Sequence, residues 1–536
     1  MFKQLLTPVA DSLPLSFLVA ALPIATVLLL LGVLRRPAWQ ASLGGLAVGL
    51  AIAVSVWKLP AVLAFSAVAN GAVFALWPVM WIVLAALLVY NIAVVSGRFD
   101  AFRSWVITNM PNDRRIVLIV IGFCFGALLE GVAGFGTPVA ITGSLLILVG
   151  FPPMEALVMV LIFDTAPVAF GALGAPVTVL ASVTGLPTHA LAAMIGRQLP
   201  VMAAILPFYV MGLYGGWRSV KALWPVLAVA GLSFAAGQFA ASNYIDYTLT
   251  DVLASLLSLA VTLAFLKVWR PAPDPAFAIQ GEGALEVRPA GAPPAWQGWL
   301  PWAIISATVV LWTTFKVANI GQQAIHWPLL DKAISITLYH DKPYAAVWSF
   351  QPLATGTAIL VAAVITAATV RLSPAAFVGC AVQTVRQAWK AVVTVMLIVG
   401  LAYLMNYSGL AYTLGLGAAS TGHAFVLLSP FLGWMAVMLS GSDTSGNALF
   451  GNLQVVAANQ LNLSPVLFAA TNSSGGVMGK MISPQNIATG VSVTGMSGQE
   501  GKIFARTFPH SIILTVILGA LAAAQQYLIP WIIPAN

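Results

Sequence analysis

The 536-residue chain predicts an all-α polytopic membrane protein. It should hold about 12 spans plus two re-entrant hairpins, in inverted repeats that each contain a broken transmembrane helix. Three observations predict this fold. Hydrophobic residues make up 60% of the chain and charged residues only 7%, against about 25% charged in a soluble domain. That leaves too little polar surface to coat a water-soluble globule of this size. Two apolar regions, 115–186 and 424–495, are cut by Gly, Pro, Ser and Asn, so neither is a set of uninterrupted helices. Finally, these two regions align with each other, while the charge pattern gives them opposite orientations.

A spanning helix needs roughly 20 apolar residues. The stretches 13–34, 41–58, 73–96, 190–214, 222–241, 251–268, 300–318, 353–371, 388–408 and 505–530 fit that need. The first is too long for a signal h-region and lacks a small-residue cleavage site, so it is read as a span. Residues 60–72 are read as interfacial. In the first interrupted region, half-length helices at 115–129 and 138–150 flank "EGVAGFGT", which predicts a hairpin over 115–150 with that motif as its tip. A further half-helix ends at Phe163, the chain breaks at "DTAPVAFGALGAP", and a helix resumes at Val177, which makes 154–186 a broken span. The second region repeats the layout. A helix ends near Ser440, "GSDTSGN" (441–447) forms a tip, and the return arm completes a hairpin over 424–461. A short helix then reaches Thr471, breaks at "NSSGGVMGKMISP" and resumes, over 465–495.

The two breaks align without a gap, 164–176 over 472–484, so that Asp164 meets Asn472, Thr165 meets Ser473 and Pro176 meets Pro484. "SVTG" recurs at 182–185 and 492–495, and "RQLP" (197–200) matches "RTFP" (506–509). Four matches in one order indicate an internal repeat. With the N-terminus outside, thirteen Lys and Arg residues, Arg114, Arg115 and Arg270 among them, fall inside and five fall outside. That positive-inside bias puts the first hairpin's mouth on the cytoplasmic face and the second's on the external face. The organisation read from this is 1–214 as the first repeat, 215–299 as two linking spans and a Pro/Ala/Gly-rich cytoplasmic linker from 271, and 300–536 as the second repeat. Cys124 and Cys380 lie in or beside apolar segments and are expected as free thiols. The net charge of +8 is scattered between spans, so it reports topology and does not indicate nucleic acid.

Irregular backbone inside a bilayer is tolerated where protein or a water-filled cavity satisfies it. Broken helices present free N–H groups suited to anions and free carbonyls suited to cations. Inverted repeats with such helices are the pattern of secondary transporters. The motifs "LLEGVAGFGTPVAI", "TAPVAFGALGAPV", "GSDTSGNALFGNLQ" and "ATNSSGGVMGKMISPQNIA" closely resemble the L-lactate permease family, which includes glycolate permeases, and the resemblance covers most of the chain. It implies a proton-coupled symporter for small 2-hydroxymonocarboxylates (L-lactate, D-lactate, glycolate), multi-pass in a bacterial inner membrane, with no cofactor. In the family pattern Asn often stands at the place of Asp164. Hairpins with broken helices also resemble dicarboxylate and citrate carriers, some sodium-driven, so a sodium-coupled carboxylate carrier is the alternative.

Ionisable residues inside a membrane default to function. Glu130, Asp164 and Asp443 sit at the breaks and are the proton-coupling candidates, with His510 as a possible relay. The bland readings are helix caps for the acids and an interface histidine for His510. Arg197 and its repeat counterpart Arg506 are candidates to grip the substrate's carboxylate, or else to pair internally with the acids. Lys480 offers a built-in positive charge. Thr165, Ser442, Thr444, Ser445, Asn472, Ser473 and Ser474 supply hydroxyl and amide partners for a hydroxy acid, and Gly131 and Gly134 let backbone approach it. The expected partners are thus a small monocarboxylate, a proton and the lipid bilayer. An intramembrane enzyme is disfavoured, because no nucleophile has a plausible base and the five His are not paired at metal spacing. An anion channel needs no inverted repeats. Saturable, gradient-dependent uptake separates a carrier from both.

Overall fold

A computed structural model describes residues 1–534 apart from 35, 109, 133, 135, 136, 280–292 and 497. Among the described residues, nine helices are long and apolar enough to cross a membrane, and a tenth span is made by a bent pair. The first half opens with α1 (Leu13–Gly32) and α2 (Ala38–Ser55). The run Ala61–Val95, 35 residues long, is α3. The 60–72 stretch is therefore not interfacial but the start of α3. Its small and polar residues look inward: Asn70 is buried, and a Cβ on Gly71 would come 2.7 Å from the Val399 carbonyl. These residues dilute the apolar signal because they pack helix against helix. A short α4 (Arg98–Thr108) follows.

The first hairpin is α5 (Arg114–Val132) and α6 (Thr137–Leu148). Its tip contains Gly134 at φ +55°, while Ala133, Phe135 and Gly136 lie outside the described residues. Then come α7 (Pro153–Phe163) and α8 (Gly171–Thr184), a broken pair bent by 63°. The 53-residue α9 (Thr188–Ala240) folds back on itself at Gly216, φ +67°, so that Gly231 packs against Ala204. The helix α10 (Thr250–Val268) ends the linking pair.

The second half presents the same order: α11 (Leu300–Thr314), α12 (Thr355–Thr369), a 35-residue α13 (Pro374–Ser408) and a short α14 (Leu410–Ala419). A hairpin of α15 (Phe425–Ser440) and α16 (Asp443–Gln460) follows, then α17 (Pro465–Lys480), α18 (Pro484–Thr494) and α19 (Glu500–Tyr527). The segment between α11 and α12 holds short strands that the sequence reading did not anticipate. Gln323–His326 pairs antiparallel with Val347–Phe350, and Ile334–Ile336 takes the N-terminal Phe2–Lys3 in parallel.

The breaks differ in a way the gapless alignment hides. In the first, Ala172, Leu173 and Gly174 all take left-handed conformation (φ +45°, +55° and +76°). Two of these carry a Cβ, a strain of about 1–3 kcal/mol each that the packed surroundings must hold. In the second, residues 472–480 are regular helix and only Met481–Ser483 interrupt it, which corrects the expected break. The glycines there serve close packing. A Cβ on Gly475 or Gly479 would collide with the Pro430 or Trp434 carbonyl of α15, and one on Gly433 with the Asn472 carbonyl.

The mouth of the first hairpin is tied to the 274–279 segment. Arg114 donates to the Gly150 carbonyl at 3.0 Å and to the Ala276 carbonyl at 2.8 Å. Buried Arg115 pairs with Asp113 at 2.7 Å and Asp274 at 3.5 Å, over the ring of Phe277. The mouth of the second is tied to the 316–354 segment, where Asn459 donates to the Tyr339 hydroxyl at 3.2 Å. Those two segments flank opposite ends of α11, which is roughly 22 Å long at 1.5 Å per residue. Single cysteines at Glu155, beside the first mouth, and at exposed Gln460, beside the second, should therefore label from opposite faces of the membrane once the buried Cys124 and Cys380 are replaced. Labelling of both from one face contradicts the arrangement.

Candidate functional site

Lys480 is the last residue of α17, where the negative end of the helix dipole favours a cation. Its ammonium lies 2.5 Å from Glu130 Oε1 and 3.3 Å from Asp164 Oδ2, with all three side chains at most 5% exposed. Glu130 belongs to the first hairpin's α5, and Asp164 caps α7 where the chain breaks. Gly171 makes the room, because a Cβ there would stand 2.7 Å from Glu130 Oε1. An ion pair in apolar surroundings repays its desolvation only where geometry is close and the remaining lone pairs find donors. Here the geometry is close, and Glu130 Oε2 has no hydrogen-bond partner among the described residues.

One turn along α17 from Lys480 is Gly476, whose missing side chain admits Asp443 Oδ1. Asp443 opens α16, after the N-cap Ser442, which accepts from the Ser445 N–H at 3.3 Å. Its other oxygen, Oδ2, accepts from Ser473 Oγ at 2.5 Å and Asn447 Nδ2 at 3.2 Å. A buried amide chain continues outward. Asn472 donates to Asn447 Oδ1 at 3.0 Å, and Gln454 to Asn472 Oδ1 at 3.3 Å. Ser429 donates to Gln454 Oε1 at 2.7 Å. The broken backbone is satisfied as a bilayer demands: Gln238 donates to the Ala166 carbonyl and Asn447 to that of Pro176.

The structure thus brings Glu130, Asp164, Asp443, Ser473 and Lys480 around α17. Among the described residues, the buried Glu130 Oε2, Asp443 Oδ1 and Ser474 Oγ have no hydrogen-bond partner, so the cluster has polar capacity to spare. Thr165 donates to its own helix at Ile162, and half-buried Thr444 lies beside the N-cap. Gly131 packs on Asp251, and Gly134 lies against Ala172. The two arginines lie elsewhere. Arg197 donates to Asn243 Oδ1 at 2.9 Å and to the Ile532 carbonyl, tying α9 to the C-terminal segment, and Arg506 is exposed. His510 shares a 2.6 Å hydrogen bond with the Tyr209 hydroxyl. The "RQLP"/"RTFP" match places neither guanidinium in the core.

A buried carboxylate beside the cluster was missed from sequence: Asp251, in the first turn of α10 and 1% exposed. "TLTDVLASLL" reads as an ordinary capped helix start, and nothing local says that this end is sunk in the protein.

The profile of the L-lactate permease family matches residues 16–529. The chain is 41% identical to the L-lactate permease of Escherichia coli strain K12, covering 98% of each chain. It is 41% identical to the glycolate permease GlcA of the same strain, covering 96% of each. It is 38% identical to the L-lactate permease of Bacillus subtilis strain 168, covering 99% of this chain and 100% of that one. Among solved structures, the YdaH transporter of Alcanivorax borkumensis matches at 17% identity and a TM-score of 0.45, over 88% of this chain and 89% of that one.

Proposed function

The chain belongs to the L-lactate permease family, and from that premise we propose that it imports L-lactate and related 2-hydroxymonocarboxylates, glycolate and D-lactate among them, by proton symport with alternating access. It is a transporter and not an enzyme, a multi-pass protein of the bacterial inner membrane. The observation that carries the proposal is the Lys480 ammonium held 2.5 Å from Glu130.

A monocarboxylate needs a cation, and Glu130 already occupies this one. The substrate takes Lys480 when Glu130 lets go, and Glu130 lets go at least cost when it is protonated. Binding of one proton and one lactate is thereby linked, and linkage is reciprocal. The substrate's carboxylate then replaces that of Glu130 on Lys480, and its 2-hydroxyl donates to Asp443 Oδ1, one helical turn away and without a partner. Ser474 Oγ, a buried hydroxyl with no partner among the described residues, is also free to meet it. The opposed hairpin mouths support access from each face in turn.

Energetics favour the proton. Importing a monoanion against an inside-negative potential costs about 2.3 kcal/mol per 100 mV, and one proton per lactate cancels that term. In vesicles holding the purified protein, a pH gradient of one unit with no membrane potential should drive accumulation toward about tenfold. A sodium gradient at constant pH should drive none. Uptake that follows sodium and ignores the pH gradient would replace this reading with the sodium-coupled one.

A further inference from the structure

We propose that Asp251 is a proton-carrying residue of this transport site: it holds the coupling proton while Glu130 is paired with Lys480, and passes it to Glu130 when the substrate takes Lys480. The proposal deepens the symport reading and rests on it. Asp251 stands on α10, one of the two linking helices outside both halves, so no repeat symmetry points to it. It is 1% exposed, and among the described residues neither of its carboxyl oxygens has a hydrogen-bond partner. It lies against the hairpin arm that bears Glu130. A Cβ on Gly131, the next residue, would come 2.8 Å from Asp251 Cβ. The charged groups that act on it are Glu130 from α5, Lys480 from α17 and Asp164 from the first break.

Those groups set its protonation by counting. Four carboxylates, Glu130, Asp164, Asp443 and Asp251, share one ammonium. Glu130 and Asp164 take it, Asp443 is held by Ser473 and Asn447, and Asp251 has neither. A carboxylate anion with no donor and no cation in a membrane interior is costly, and the protonated form is the cheap alternative. Helix capping does not account for Asp251 either, since a cap accepts a backbone N–H. Nearby Asp246 does so, taking the Thr248 N–H at 2.8 Å, and Asp251 accepts none. The acceptor for its proton is Glu130 Oε2, buried and without a hydrogen-bond partner among the described residues, on the residue next to the Gly131 that packs against Asp251.

The step balances. Before substrate binds, Glu130 and Asp164 are anions, Lys480 is a cation and Asp251 is neutral, which leaves one net negative charge on these four groups. When lactate binds Lys480, the proton leaves Asp251 for Glu130 Oε2, and Asp251 regains a proton from the aqueous side. One proton has entered with one lactate, the net charge is unchanged, and no bond other than O–H is made or broken.

The test uses purified full-length Asp251→Asn and Asp251→Glu in vesicles. Two quantities are read: lactate exchange at equal pH, and accumulation under a one-unit pH gradient. Asp251→Asn should still exchange lactate, while its accumulation falls from about tenfold to equality. Asp251→Glu, which keeps a carboxyl, should recover accumulation at least in part. The proposal is overturned if Asp251→Asn accumulates lactate as the unaltered protein does. It is equally overturned if that variant, with unaltered thermal melting, loses exchange, because the residue is then needed for binding or reorientation. Failure of the symport reading shows separately, as an unaltered protein that ignores the pH gradient.

Discussion

Lys480→Met is expected to lower lactate uptake by roughly 25-fold or more. Truncating one partner of a buried charge pair costs about 2–5 kcal/mol, and each 1.4 kcal/mol is tenfold. In this protein the loss falls on substrate binding, because among the described residues no other Lys or Arg side chain is placed in the cluster: Arg197 is committed to Asn243 and Ile532, and Arg506 is exposed. The same change strands Glu130 and Asp164 without their cation, so loss of folding could mimic loss of binding. The double variant Lys480→Met with Glu130→Gln removes one of the stranded charges and should recover expression and thermal melting without recovering uptake. Lactate should raise the melting temperature of the unaltered protein and leave that of both variants unmoved. Near-normal uptake by the double variant would place the substrate's carboxylate elsewhere and end the ion-pair exchange mechanism.

How far this was legible in sequence depends on which signal a residue carries. The interruptions were readable because Gly, Pro and polar residues cut the apolar runs, and Arg114–Val132 with Thr137–Leu148 lies within a few residues of the expected bounds. But Arg114–Val132 is 19 residues and long enough to cross a membrane, where a half-length arm was expected. Lys480, Glu130, Asp164 and Asp443 were readable because a charge in an apolar run has few innocent explanations. Glycine was ambiguous. In "GALGAP" it accompanies left-handed backbone, whereas in "NSSGGVMGK" it allows two helices to touch. Composition is nearly the same in both, and only the neighbouring helix decides. Arg197 was misplaced because depth along a helix does not tell which side faces the site. Asp251 was invisible for the opposite reason: its helix start looks like any other, and its burial is a tertiary fact.

Glu130→Gln should separate coupling from transport. Glutamine keeps the size and hydrogen bonding of the side chain but can neither titrate nor hold Lys480 by charge. In the ion-pair exchange mechanism the proton matters because it removes Glu130 from Lys480. With Gln in place Lys480 is already released, and only Asp164, at the longer 3.3 Å, competes with the substrate. Lactate exchange should therefore persist and lose its dependence on pH, since no protonation has to precede binding. Accumulation under a one-unit pH gradient should fall from about tenfold to equality, because no proton need travel with the anion. An inside-negative potential should then oppose uptake, at about 2.3 kcal/mol per 100 mV for each uncompensated lactate. That sign change is the sharpest feature of the experiment, because a merely damaged symporter is slower in every condition but keeps the sign of its driving forces. Lactate accumulation by Glu130→Gln in response to a pH gradient, at normal expression, would show that the coupling proton rides on another group, and that the Glu130–Lys480 pair only holds the first hairpin to α17.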